Sequence, residues 1–146
     1  MKRLLFLVLG LVGGGCASAG RPVTWIETVA TQEPPGVYAR VFMPGRRWHV
    51  GDCFLSAGSH ITLRPSGRAD FGFGIYVTRE DAQFQFGITM LAADETTLAH
   101  FPRANGGQVY VLKDIPVGRD EIRGGTIPIS RDVYDRVERV LIHATC

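Results

Sequence analysis

Apolar residues alternate along residues 59–90, SHITLRPSGRADFGFGIYVTREDAQFQFGITM, with hardly a break. Ile61, Leu63, Ala69, Phe71, Phe73, Ile75 and Val77 fall on odd positions. After Asp81 the parity changes, and Ala82, Phe84, Phe86, Ile88 and Met90 are even. A period of two marks half-buried strands, because successive side chains point to opposite faces. Pro65-Ser66-Gly67 predicts the first hairpin turn, with Pro supplying a fixed φ and Gly a left-handed one. It pairs Leu63 with Ala69 and Ile61 with Phe71. A second hairpin is expected with Thr78-Arg79-Glu80-Asp81 as its loop. That hairpin pairs Val77 with Ala82, Ile75 with Phe84, Phe73 with Phe86 and Phe71 with Ile88. Directly opposed residues share a face, so all four phenylalanines are expected on one buried side.

The same expected pairing builds the opposite face. There Gly72 opposes Gly87, Gly74 opposes Gln85, Tyr76 opposes Gln83 and Asp70 opposes Thr89. Three glycines leave bare backbone, bordered by Asp70, Tyr76, Gln83, Gln85 and Thr89. Glycine within a strand marks strong bending or the close approach of another group. Three readings stand: curvature of the sheet, a chain segment lying flat on the patch, or a shallow groove for a planar ligand such as a sugar ring. In the third, Tyr76 stacks on the ring while Gln83, Gln85 and Asp70 bond to its hydroxyls.

The flanking segments predict further short strands. Residues 20–30 form an edge strand, the Pro34-Pro35 stretch a turn, Val37 to Met43 a strand, and Arg46 to Val50 another. Gly51-Asp52 turns into Cys53-Phe54-Leu55. Thr97 to Phe101 and Gln108 to Lys113 flank an Asn105-Gly106 hairpin signal. Asp114 to Gly125 is polar and reads as an exposed loop, and Thr126 to Ile129 as a short, Pro-limited strand. Ser130 is a good N-cap, Asp132 suits a first helical turn, and Val133, Tyr134 and Val137 share a face. Val140-Leu141-Ile142 closes the chain as a strand. The expected fold is all-β, an antiparallel sandwich or small barrel with one short C-terminal helix.

The first 19 residues stand apart. Met1-Lys2-Arg3 is basic, and Leu4 to Val12 is apolar but far short of the roughly 20 residues that span a bilayer. Small residues follow, so residues 1–19 read as a secretory signal peptide and 20–146 as a single domain. Two processing sites compete. Gly14-Gly15-Cys16 resembles a lipobox, with Gly13 where Leu is usual, and would leave Cys16 lipidated. Ala17-Ser18-Ala19 would direct cleavage before Gly20. The small pair directly before a cysteine favours the lipoprotein route. The protein is then anchored in the periplasm or at the cell surface, touching the membrane only through its lipid; the other route leaves it secreted.

About 127 residues remain after the leader, enough for one core. Losing Lys2 and Arg3 lowers the basic residues from 16 to 14, matching the 14 acidic ones. A neutral domain without a basic block is a poor nucleic-acid binder. Arg46-Arg47-Trp48 is the one basic-aromatic cluster, read as a solvated strand end or a contact for a nucleotide or acidic sugar. Cys53 and Cys146 remain available in a compartment where disulfides persist, and they are expected to pair. Closing a loop of roughly 94 residues stabilises by about 4–5 kcal/mol in the chain-entropy view.

Trp48, Gly51-Asp52-Cys53, the Ser66-Gly67 turn, Ala69 and Phe71 together resemble a family of small secreted bacterial domains of unknown function. Asp132 to Tyr134 and Val140 to Cys146 extend the resemblance to the C-terminus. The chain departs from that pattern where a Trp-containing strand is expected, having Phe84 and Phe86 instead. The resemblance implies export and a paired cysteine, and it implies no activity.

Catalytic signals are sparse. His49, His60, His100 and His143 have no ligand spacing, so no metal or other cofactor is called for. Ser56 and Ser59 flank a glycine without a nucleophile-elbow pattern. Three functions follow: a non-catalytic binding module for an envelope protein, glycan or small ligand; a lipocalin-like carrier with phenylalanines lining a cavity; or a small hydrolase with residues gathered from loops. The lipobox reading predicts that labelled palmitate enters the protein and is lost in Cys16→Ser. A mature N-terminus at Gly20 would establish the other route.

Overall fold

A computed structural model describes residues 22–31, 39–102 and 109–146. The leader with Cys16, the Pro34-Pro35 turn and the Asn105-Gly106 turn lie outside the described residues. The strands in chain order are β1 (Thr24–Glu27), β2 (Val29–Ala30), β3 (Arg40–Met43), β4 (Trp48–Val50), β5 (Cys53–Leu55) and β6 (His60–Arg64). Then come β7 (Arg68–Val77), β8 (Phe84–Leu91), β9 (Thr97–Phe101), β10 (Tyr110–Leu112) and β11 (Asp120–Pro128). Helix α1 (Arg131–Arg136) and β12 (Arg139–Thr145) complete the chain. The fold is all-β, two antiparallel sheets with one short C-terminal helix, as the alternation predicts.

The five-stranded sheet runs β1-β12-β8, with β9 and β10 both on the far side of β8. In the seven-stranded sheet β11 pairs with one edge of β7, and β6 and β5 follow each other along the other. β3 and β2 continue outward from β6, and β4 from β5. Residues 22–31 serve both sheets, because β1 pairs with β12 and β2 with β3. Thr28 makes that corner: its backbone N–H and hydroxyl both donate to the Val140 carbonyl, the hydroxyl at 2.7 Å.

The first hairpin forms in the expected register, Leu63 opposite Ala69 and Ile61 opposite Phe71. The second does not form. β7 lies in the seven-stranded sheet and β8 in the five-stranded one, so residues 78–83 carry the chain across the sandwich. Alternation states which residues face inward. It does not state whether two inward faces lie side by side or face each other. Facing each other is the arrangement in which each strand covers the other's apolar side, and it wins here. Rings from the two strands meet edge to face across the interior: Phe73 and Phe86 at 4.9 Å, Phe71 and Phe86 at 5.3 Å, Phe73 and Phe84 at 6.4 Å. These lie in the range where aromatic pairs add to the burial of area. Phe73, Phe84 and Phe86 are fully buried. Phe71 is half-buried, because it lies at the open side of the sandwich beside Tyr110.

Two other expectations are corrected. β9 and β10 are not a hairpin; both run antiparallel to β8 along the same edge, one after the other. Residues 120–125 are not loop but most of β11, paired with β7 from Asp120 opposite Tyr76 to Pro128 opposite Arg68. The strand lacks an apolar alternation because it is an outer strand, and only Ile127 among its side chains is buried. The C-terminal helix matches its signals, with Ser130 Oγ accepting from the Val133 N–H and Asp132 in the first turn.

Cys53 and Cys146 form the expected disulfide, with Cα atoms 5.8 Å apart. Cys53 opens β5 of one sheet and Cys146 follows β12 of the other, so the bond staples the sandwich. Gly51 has φ +56°, and a Cβ there would lie 2.7 Å from the Cys146 carbonyl oxygen. The glycine of the Gly-Asp-Cys triplet is thus required by the approach of the C-terminus it helps to hold.

Phe84→Ala should cost about 3–5 kcal/mol, the range for emptying a phenylalanine site in a packed core. Chemical denaturation of the variant should show it, and half-buried Phe71→Ala should cost less. Equal costs at the two positions would contradict the facing arrangement.

Candidate functional site

The five residues expected to border one patch are divided between the two sheets. Asp70 and Tyr76 are on the outer face of the seven-stranded sheet, and Gln85 and Thr89 on the outer face of the five-stranded one. Gln83 lies in the crossing segment. The shared groove therefore does not exist. Asp70 is held by structure: it accepts from Arg64 Nε at 2.7 Å and from the Thr126 hydroxyl at 2.9 Å. These bonds, with Arg68 nearby, hold its carboxyl below the ordinary carboxylate value. Thr89 is buried, its hydroxyl 2.7 Å from His100 Nδ1.

The glycines are covered, each by a side chain from its own side of the sandwich. His60 pairs with Gly72 across β6–β7, and a Cβ at Gly72 would meet the His60 ring at 2.7 Å. His143 pairs with Gly87 across β12–β8, and a Cβ there would meet its ring at 2.1 Å. Glycine in a strand is weak by itself, and a ring laid over it from the neighbouring strand restores the lost contact. The Ser56 hydroxyl similarly fills the space at Gly74. Individual side chains, not a chain segment lying flat, cover the glycines, and the single patch that all three readings assumed does not form, since Gly72 and Gly74 lie on one sheet and Gly87 on the other.

Two other clusters occupy the outer faces. On the seven-stranded sheet, register places His49, Phe54 and Tyr76 in one row across β4, β5 and β7. Their inward neighbours Val50, Cys53, Leu55, Ile75 and Val77 are buried, which points the row outward. His49 stacks on Phe54 with centroids 4.7 Å apart, and Phe54 meets Tyr76 edge-on at 6.1 Å. The Arg47 guanidinium lies over both, 4.5 Å from the Phe54 ring centre and 5.2 Å from that of Tyr76. Arg46 lies 4.0 Å over Trp48 on the adjoining turn. Among the described residues, neither arginine has a carboxylate at ion-pair distance; Asp52 nearby is taken by Arg79 at 3.2 Å. The result is an aromatic row, half-buried at Phe54 and Tyr76, capped by the exposed Arg47, whose positive charge has no carboxylate partner among the described residues.

On the five-stranded sheet, Trp25, His143 and His100 line up across β1, β12 and the β8–β9 pair. Trp25 and His143 are 5.2 Å apart, and the two imidazoles stack in parallel at 4.9 Å. His143 Nε2 is buried without a hydrogen-bond partner. Burial, with His100 beside it, lowers the pKa of His143 below its ordinary value. The stacked rings present parallel faces rather than convergent nitrogens, and no cluster of three or more metal-ligating side chains occurs among the described residues.

The Arg47 platform was only half legible in the sequence. Arg46-Arg47-Trp48 stood out, but Phe54 and Tyr76 join it through cross-strand pairing. The available signal was Phe54 standing out of phase between core residues Cys53 and Leu55. No family model matches the chain, and no curated protein or solved structure matches it either.

A histidine whose folded pKa is lowered binds its proton more readily when unfolded. His143 should therefore contribute constant stability above about pH 6.5, lost progressively as pH falls toward its folded pKa. His143→Phe keeps a ring over Gly87 and removes the titration. Melting temperatures between pH 7 and pH 5 should fall less steeply in this variant; parallel curves would show that His143 titrates freely.

Proposed function

We propose that the protein is an exported, non-catalytic binding module of the bacterial cell envelope, anchored through lipid on Cys16. Its ligand is a ring-bearing anion of the acidic-sugar class, met by the outer face of the seven-stranded sheet. The carrying observation is the Arg47 guanidinium poised over Phe54 and Tyr76 with no carboxylate partner among the described residues. Flat aromatic faces suit the apolar faces of sugar rings, and a guanidinium held over such rings binds carboxylates in a bidentate fork. His49, stacked on Phe54, widens the platform. The signal-like leader, the resemblance to small secreted domains and a disulfide compatible with export all support this reading. The carrier alternative loses its basis, because the phenylalanines thought to line a cavity pack on each other.

Calorimetric titration with acidic and neutral envelope oligosaccharides tests the reading. Acidic members should bind and neutral analogues bind more weakly. Arg47→Ala and Tyr76→Ala should each weaken binding by about tenfold, equivalent to about 1.4 kcal/mol, with the melting transition still cooperative. Equal binding of neutral sugars, or full affinity in Arg47→Ala, would overturn it.

A further inference from the structure

β11 is a nine-residue strand that pairs on one side only among the described residues. Its parity is fixed by two observations. The Ile129 N–H donates to the carbonyl of Gly67, the residue opposite it, so odd-numbered residues turn their backbone groups toward β7. Pro128, which has no N–H, accordingly falls on an even, outward position. Asp120, Ile122, Gly124 and Thr126 therefore aim unpaired N–H and C=O groups away from the sheet. Ile122 is 80% exposed, an unusual place for a large apolar side chain. Such an edge is a template for another strand unless something blocks it.

The usual block is a charge pointing inward. β11 carries two, Glu121 and Arg123, opposite the core residues Ile75 and Phe73. They have opposite signs and flank Ile122. Along the strand they pair with each other at 3.6 Å, and Arg123 also donates to the Asp114 carbonyl, yet Arg123 Nε is buried without a hydrogen-bond partner among the described residues. One strand offers each a second, opposite charge: an antiparallel copy of β11 centred on Ile122.

We infer that the protein self-associates by antiparallel pairing of β11 with β11 of a second copy, about a two-fold axis at Ile122. Ile122 faces Ile122 of the partner subunit as a hydrogen-bonded pair, consistent with its outward parity. Asp120 and Gly124 face each other's counterparts in the same way. Glu121 faces Arg123 of the partner subunit, and Arg123 faces Glu121 of the partner subunit. These are non-hydrogen-bonded positions, where opposed side chains come closest and opposite charges stabilise. A centre at Arg123 would set like charges against each other, and a centre at Gly124 would bring Pro128 into the ladder opposite Asp120. The interface is isologous, as closed dimers require.

Sedimentation of the protein purified after expression of the full chain, in detergent and over a wide concentration series, tests the inference. Wild type should pass from monomer to dimer as concentration rises. Arg123→Glu places Glu against Glu and should weaken the dimer by at least about tenfold, since like charges brought together at an interface are costly. Glu121→Arg should do the same by placing Arg against Arg. The double variant Glu121→Arg/Arg123→Glu restores the match and should dimerise. A mixture of the two single variants should form a heterodimer that neither forms alone. Ile122→Lys changes an exposed side chain and should give a folded monomer, which keeps the test decisive if a charge variant misfolds. A wild type that stays monomeric throughout overturns the inference. So does an Arg123→Glu dimer as tight as wild type, or failure of both the double variant and the mixture to associate.

Discussion

The contact of Phe71 and Phe73 with Phe84 and Phe86 is the interaction on which the other elements depend. Among the described residues, neither sheet has a helix over its inner face; α1 is six residues long and sits beside β9. Each sheet must therefore use the other as its cover, and two sheets pack about 10 Å apart only if interior side chains interlock. Edge-to-face rings do this, since each ring fills the space beside a ring of the opposite strand. Placing these rings fixes the crossing at residues 78–83. That crossing decides which strands remain to flank each of the two: β6, β5 and β11 for β7, and β12, β9 and β10 for β8. The disulfide then closes the sandwich from Cys53 on one sheet to Cys146 on the other.

The two outer faces reuse one device. A strand with small residues outward is weak, and here an imidazole from the adjacent strand covers the gap, His60 on Gly72 and His143 on Gly87. The environments differ in consequence. His60 is exposed, whereas His143 is wedged between Trp25 and His100 with a buried ring nitrogen, so it keeps its neutral form to lower pH.

Much of the fold was legible where local chemistry forces a choice. Pro65-Ser66-Gly67 fixed a register, Ser130 fixed a helix start, and the two cysteines outside the signal-like leader left one pairing. The inside-outside assignment of every residue from Ala69 to Val77 was legible too, apart from the half-burial of Phe71. The partner of β7 was not, because alternation carries no information on whether the next strand lies beside or above. β11 was missed for a related reason. Edge strands need no apolar face, so Asp120 to Gly125 has the composition of a loop, and only the nine-residue pairing of β11 with β7 reveals it. The expected site failed with the hairpin that built it, and Tyr76 alone passes into the platform now assigned to Arg47, Phe54 and His49.

The platform and the β11 edge lie on one sheet, and their geometry makes them additive. Antiparallel pairing about Ile122 would put the axis perpendicular to the sheet, so the outer faces of both copies would look in the same direction. Tyr76 lies opposite Asp120 at the start of β11. In the dimer the two tyrosines would be separated by three strand spacings across the sheet and by the four-residue offset between Asp120 and the residue it faces. Strand spacing and rise give about 20 Å between them. A single sugar could not span that distance, but a repeating acidic polymer could engage both platforms at once. The second contact would then be intramolecular, and avidity could exceed the affinity of one shallow platform by orders of magnitude. On this view a weak face and a weak edge would suit a surface protein that binds extended polymers and releases short fragments.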